Sequence, residues 1–304
     1  MTDRKVHTRS VTPYFRSQRG QLLLCPARRR RRSGHTLTGD VREHRFFSNI
    51  LQEEVVFWVY LPPGYSPSDP WLYPCLYLHD GQNVFDAGTA AFGVEWGVDE
   101  TAECQILERR MEPVIIVAVS NTPERMSEYT PFQDPELGGG AGPRYARFLV
   151  EELKVWMKSH YPVSGAARDT ALVGSSLGGL SALYVGWTHP QEFGLVASLS
   201  PSLWWGSRKL ITRLGGDETK GPRPAKIWVD MGSHESLEDE NENDVPDAID
   251  DLRTLKAVLL ARGYHLGEDL EIREIAGGQH HESDWSQRIG EVLSWLFPAK
   301  SKSG

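Results

Sequence analysis

From residue 53 onward the chain alternates short apolar runs with longer amphipathic stretches. The first run, EEVVFWVYLP at 53–62, is rich in β-branched and aromatic residues and halts at Pro62-Pro63-Gly64. That composition predicts a strand followed by a turn. PCLYLHD (74–80) and PVIIVAVS (113–120) are nearly continuous apolar runs, as expected of strands buried on both faces of a mostly parallel sheet. DTALVG (169–174), LVASLS (195–200), AKIWVD (225–230) and LEIREI (270–275) continue the series. Helical spacing lies between them. PRYARFLVEELKVWMKSHY (143–161) opens with Pro143 after the loop GGGAG, a helix-start signal. LGGLSALYVGWTHP runs out at Pro190, and WSQRIGEVLSWLF is the last such stretch. DAIDDLRTLKAVLLARGY has acidic residues early and basic residues late, matching the helix dipole. Strands alternating with helices predict an α/β fold, a mostly parallel central sheet with helices on both faces. No internal repeat is present.

Composition narrows the picture. The chain has 304 residues, 39% of them hydrophobic, enough for one sizeable core. No run approaches the roughly 18 consecutive apolar residues that span a bilayer. QLLLC at 21–25 is short for a signal-peptide core and leads into five arginines rather than a small-residue cleavage site. The expectation is a soluble, cytoplasmic protein. The cysteines Cys25, Cys75 and Cys104 are few, odd in number and without metal spacing, which fits reduced thiols.

Charge is uneven. Residues 1–45 hold 12 Lys/Arg and 3 Asp/Glu, while the remainder holds 21 against 38, for a net charge of −8. The tail 1–39 contains ARRRRRSGH, lacks periodicity and is expected to be disordered. Its arginines could touch nucleic-acid phosphates, but a solvated extension or an upstream start codon is the expected explanation, and the acidic body argues against nucleic acid as the main partner.

The segment TALVGSSLGGLSALYVGW (170–187) holds two adjacent serines. Gly174-x-Ser176-x-Gly178 fits G-x-S-x-G with Ser176 central. Centring on Ser175 would require glycine where Val173 and Leu177 stand. An apolar strand precedes the motif and a helix follows it, the setting in which the turn lifts a serine hydroxyl out at the C-terminal edge of a sheet. A serine needs a base and an orienting acid, and in this setting they follow in the order acid, then histidine. Two later loops qualify. AGGQHHESDW offers His280 and His281, and MGSHESLEDE with its preceding strand offers Glu235, Asp230 and Asp239. Spacing does not choose among these acids. The oxyanion of a tetrahedral intermediate needs N–H donors. One is expected from Leu177 and another from the loop HDGQNVFD.

YLPPGYS, YLHDGQNVFD, EWGVDETAE, SNTPERMSEYTP, GSSLGGLSALY, LSPSLWW and GGQHHESDW together resemble the esterase family of the α/β-hydrolases. That branch includes enterochelin (siderophore) esterases, feruloyl and acetylxylan esterases, S-formylglutathione hydrolase and mycolyltransferases. The resemblance covers roughly 40–299. It implies an α/β-hydrolase domain there, flanked by the basic tail 1–39 and a short tail 300–304. It also implies Ser176 as nucleophile, Glu235 as acid, His280 as base, and the amides of Leu177 and Gln82 as oxyanion donors. Asn121 and Arg125 resemble a loop beside the site, and Ser202, Trp204 and Trp205 fall near the pocket rim or serve in packing. Against that family pattern, no stretch of the sequence reads as the large N-terminal domain of cytoplasmic enterochelin esterases or as the secretion signal of extracellular polysaccharide esterases, so neither is expected here.

ESLEDENENDVPDAIDD (235–251) has nine Asp/Glu and no Lys/Arg. DENEND only loosely matches a calcium loop, with Asp244 at the sharp-turn glycine position and Asp250 at the bidentate glutamate position. A solvated loop entering a helix accounts for it. The zincin spacing H-E-x-x-H is absent. The expected activity is serine-dependent hydrolysis of a carboxylic ester without a cofactor, on a siderophore-like trilactone or else a carbohydrate-linked feruloyl or acetyl ester. The reading from another class is a silent hydrolase-fold scaffold whose tail binds nucleic acid. No membrane partner is expected, and the oligomeric state is left open.

Overall fold

Eight strands form one sheet in this computed structural model, which describes residues 35–216 and 221–300 and the backbone of two three-residue strands, Tyr14–Arg16 and Leu22–Leu24. The strands are β1 (Asp40–Ser48), β2 (Glu53–Leu61), β3 (Cys75–Leu78), β4 (Ile115–Val119), β5 (Thr170–Ser175), β6 (Leu195–Leu199), β7 (Lys226–Gly232) and β8 (Leu270–Ile275). Their spatial order is β8-β7-β6-β5-β3-β4-β2-β1. β3 to β8 run parallel, while β2 is antiparallel to both β4 and β1. This is an α/β fold of the expected kind. Most of the basic tail, its arginine run included, lies outside the described residues.

The continuous apolar runs arise because successive strand side chains point to opposite faces, and both faces are covered. Cys75, Tyr77, Ile115, Val117 and Leu172 pack on one side. Leu76, Leu78, Ile116, Ala118 and Val173 pack on the other. The helices α1 (Val98–Leu107) and α8 (Glu282–Leu296) cover the second side. The first side carries α2 (Arg125–Tyr129), α3 (Gly142–Arg147), α4 (Lys154–His160), α5 (Leu177–Thr188), α6 (Trp205–Gly215) and α7 (Asp247–Ala261). The helix expected over 143–161 contains a π-helical stretch, Phe148–Leu153, between α3 and α4. No helix among the described residues is long and apolar enough to cross a membrane.

Some elements were not foreseen. β1 reads DVREHRFFS and is mostly exposed. It is the sheet's outer strand, where charged side chains face water and discourage edge pairing, so it carries no apolar run to betray it. α1 and α2 likewise lack a clean apolar period, whereas α6 buries Leu210, Ile211 and Leu214 at helical spacing and was simply not picked out. Residues just before 40 also bond to the body. Thr36 N–H donates to Asp86 Oδ1 at 3.1 Å and Thr38 N–H to Asp99 Oδ2 at 2.6 Å.

Because β3 and β5 to β8 are parallel, their C-terminal ends open on one edge. That edge gathers the loops after β3, β5, β6, β7 and β8, the region where open α/β sheets hold their ligands.

Candidate active site

The turn after β5 dictates the position of Ser176. Its φ of 56° and ψ of −126° lie outside the regions open to most non-glycine residues. Strain of this kind persists only where the surroundings fix it, and here the strand and helix nearly touch. A Cβ on Gly174 would stand 2.4 Å from the Gly178 carbonyl oxygen and 2.8 Å from His79 Cδ2. Ser176 N–H donates to Leu199 O on the neighbouring strand at 3.1 Å, and its hydroxyl projects from the start of α5.

The loops after β7 and β8 bring two partners to it. His280 Nε2 lies 2.9 Å from Ser176 Oγ, and His280 Nδ1 lies 2.8 Å from Glu235 Oε2. The Glu235 side chain is buried, whereas that of His280 is 38% exposed. The Trp285 ring meets the His280 ring edge-on at 5.1 Å. His281 instead caps α8, its side chain accepting from Ser283 N–H at 3.2 Å. Of the other acids, Asp230 is fully buried and accepts from Trp228 Nε1 at 2.9 Å, with Arg288 Nη2 3.0 Å from its second oxygen. Burial pushes its carboxyl up to about 6, and the Arg288 charge pulls the other way. Asp239 accepts from the backbone of Asn243 and Asp244 within its own exposed loop.

The loop after β3 begins with Asp80 in a left-handed conformation, φ 53°, and continues as a 3-10 turn, Gly81–Asn83. It lies so close to β4 that a Cβ on Gly81 would stand 2.4 Å from the Ala118 carbonyl. Gln82 sits in this turn and Leu177 in the first turn of α5, where N–H groups lack intrahelical partners. Arg125 and Asn121 both engage Asp80. Arg125 Nε and Nη2 donate to its two oxygens at 2.6 and 2.8 Å, and Asn121 Nδ2 donates to Oδ1 at 2.6 Å. Asn121 N–H also donates to Gln82 Oε1 at 3.2 Å. Ser202 Oγ lies 3.4 Å from Ser176 Oγ. Trp204 is half exposed, but Trp205 does not reach the rim: it is buried and its indole N–H donates to Phe132 O at 2.8 Å.

Several residues around the site escaped notice in the sequence. Ser200, Trp285 and Arg288 form a buried polar group behind Glu235, and Asp80 anchors the loop residues opposite. Their signal is faint but physical: a serine or aspartate ending an apolar strand, and an arginine on the apolar stripe of α8.

Away from Ser176, His280 and Glu235, the residues Glu95, Asp99 and Glu100 bring carboxylate oxygens within 4.8 Å of one another around the start of α1. Burial and the neighbouring Glu100 charge hold Asp99 well above the usual carboxylate range. A surface hollow of about 630 Å³ lies beside the acidic segment, lined by residues including Arg208, Asp250 and Asp251 but not by Ser176, Glu235 or His280.

The sheet order and the strand–turn–helix at Ser176 define an α/β-hydrolase-type protein. Residues 48–296 match the family model described as "Putative esterase", and the chain belongs to that family. It is 26% identical over 246 residues to the ferri-bacillibactin esterase BesA of Bacillus subtilis, covering 75% of this chain and 80% of that protein. Its fold resembles the enterobactin esterase FES of Shigella flexneri, with a TM-score of 0.67 at 21% identity over 87% of this chain; the match spans only 60% of FES. A ferulic acid esterase has a TM-score of 0.66 at 19% identity, covering 85% of this chain and 98% of that one.

Proposed function

We propose that the protein is a serine esterase working through an acyl-enzyme. The observation that carries this reading is the hydrogen-bonded line Ser176–His280–Glu235, at 2.9 and 2.8 Å, on a strained strand–helix turn. Ser176 Oγ attacks the ester carbonyl while His280 Nε2 takes its proton. Glu235 holds His280 with the proton on Nδ1 and stabilises the positive ring. The amides of Leu177 and Gln82 receive the oxyanion. His280 then gives its proton to the departing alcohol, leaving an ester between Ser176 and the acyl group. Water, deprotonated by His280, attacks that ester; the bond to Ser176 breaks, His280 returns the proton to Ser176 Oγ, and the acid leaves. Asp80, held by Arg125 and Asn121, fixes the turn that carries Gln82.

The substrate is a small-molecule ester of the siderophore-trilactone kind, a reading supported by BesA, whose name gives its activity and most of whose length is matched. A carbohydrate-linked feruloyl or acetyl ester is the second reading, favoured by the near-complete overlap with the ferulic acid esterase. Action in the cytoplasm fits a chain whose three cysteines are odd in number and without metal spacing.

The test is labelling with a fluorophosphonate, followed by mass mapping, on wild type and Ser176→Ala. An adduct on Ser176 that the variant lacks is the expected result. No adduct on folded wild-type protein would favour a non-catalytic scaffold. A panel of catecholate trilactones and feruloyl or acetyl esters then separates the two substrate readings by kcat/KM.

A further inference from the structure

Behind the acid of the triad lies a polar group whose hydrogen bonds can point only one way. Ser200 follows β6 with a φ of 46°, an uncommon conformation for a residue with a Cβ, and is 1% exposed. Its Oγ lies 2.8 Å from Trp285 Nε1 and 3.0 Å from Arg288 Nη2. Indole and guanidinium nitrogens donate and never accept. Both lone pairs of Ser200 Oγ are therefore taken. Its single proton has one destination, Glu235 Oε1 at 2.5 Å.

That oxygen also accepts from Gly232 N–H at 2.6 Å, while Oε2 faces His280. The two oxygens of Glu235 thus have separate duties: Oε1 is clamped by two donors and Oε2 is aimed at the histidine. Arg288 in turn lies 3.0 Å from the buried Asp230. A line of contacts runs from Asp230 through Arg288, Ser200 and Glu235 to His280 and Ser176. The same strand end also holds the nucleophile, since Leu199 O accepts from Ser176 N–H.

We propose that Ser200, its hydroxyl oriented by Trp285 and Arg288, is a positioning residue that fixes the orientation and charge of Glu235 and thereby of His280. The proposal rests on the triad reading above. The charged and titratable groups around this pair are Asp230 from β7, Arg288 from α8, and His234 beside Glu235 in its own loop. The Asp80–Arg125 pair lies on the nucleophile's side. A carboxylate that loses a donor holds a proton more tightly. Removing the Ser200 hydroxyl is therefore expected to raise the proton affinity of the Glu235–His280 pair as a whole.

The test measures ester turnover and the rate of fluorophosphonate labelling from pH 5 to 9 for wild type, Ser200→Ala, Ser200→Gly and Trp285→Phe. Glycine accepts the positive φ freely, so Ser200→Gly keeps the test alive if the alanine variant folds poorly. The expected result is an acidic limb moved to higher pH by about one unit in both Ser200 variants, from the usual worth of a charge-assisted hydrogen bond. Trp285→Phe keeps an aromatic ring against His280 and frees one lone pair of Ser200, so its shift should be in the same direction and smaller. Rates lowered equally at every pH, with the limb unmoved, would mean a merely structural serine and overturn the proposal. Unchanged profiles would do the same. If wild type fails to label at all, the triad reading falls first and takes the proposal with it.

Discussion

Replacing Glu235 by glutamine tests the site at one atom. The wild-type Oε1 accepts from Gly232 N–H and from the Ser200 hydroxyl, and Oε2 faces His280 Nδ1. Glutamine has one oxygen and one NH2 to fill those places. Putting NH2 at the Oε1 place would set it against two donors in a buried site. The amide is therefore forced to present NH2 to His280. Nδ1 must then be unprotonated, and the ring proton moves to Nε2, facing Ser176, where a base is needed. A wrong tautomer in such a triad costs about 10⁴-fold in kcat, or roughly 5 kcal/mol of transition-state stabilisation. The assay is turnover of a chromogenic ester, with the labelling rate and a thermal melt run in parallel. Asp239→Asn, on the same loop, should stay within about twofold of wild type. Glu235→Gln within tenfold of wild type, or an Asp239→Asn loss as large as its own, would refute the assignment.

Three further outcomes follow from the geometry. Gly174→Ala drives a Cβ to 2.4 Å from the Gly178 carbonyl oxygen and should cost about 3 kcal/mol of stability; an unchanged melting temperature would contradict the close approach of strand and helix. Arg125→Ala leaves the buried Asp80 carboxylate without its bidentate partner and should cost about 2 kcal/mol, less than a fully buried pair because Arg125 is partly exposed. It should also lower kcat by about tenfold, whereas a raised KM at constant kcat would point instead to a substrate contact. Burial pushes His79 down to about 4, so between pH 6.5 and 4 the unfolded chain binds a proton that the folded one refuses. Stability is then lost as pH falls through that window, by about 3 kcal/mol in all. Urea unfolding at pH 7 and pH 4 should show a correspondingly smaller loss in His79→Gln, and equal losses would count against a buried neutral His79.

Much of the architecture was legible in the chain because five of the parallel strands, β3 to β7, are buried on both faces. Such strands need unbroken apolar runs, and each such run falls on a strand. The turn at Ser176 was legible for a related reason: glycine at 174 lets β5 and α5 approach and glycine at 178 lets α5 pass close to His79 and Asp80, so the turn prints itself as a motif. β1 was invisible, because an outer strand facing water has no apolar run to display. The acid was the sharper limit. Glu235, Asp230 and Asp239 share the end of one strand and its loop, and spacing cannot rank carboxylates separated by so few residues. Tertiary structure ranks them by direction: Asp230 turns into the core toward Arg288, Asp239 turns onto its own loop, and Glu235 alone of the three meets His280. His280 and His281 divide in the same way, one facing Ser176 and the other capping α8. The group of Ser200, Trp285 and Arg288 joins the ends of a strand and a helix about 85 residues apart in the chain. The sequence determined which residue types stand at the sheet edge, since local sterics and burial act on neighbours in the chain. Only the packing of β6, β7 and α8 decided which of them touch, because a hydrogen bond depends on distances that no local pattern encodes.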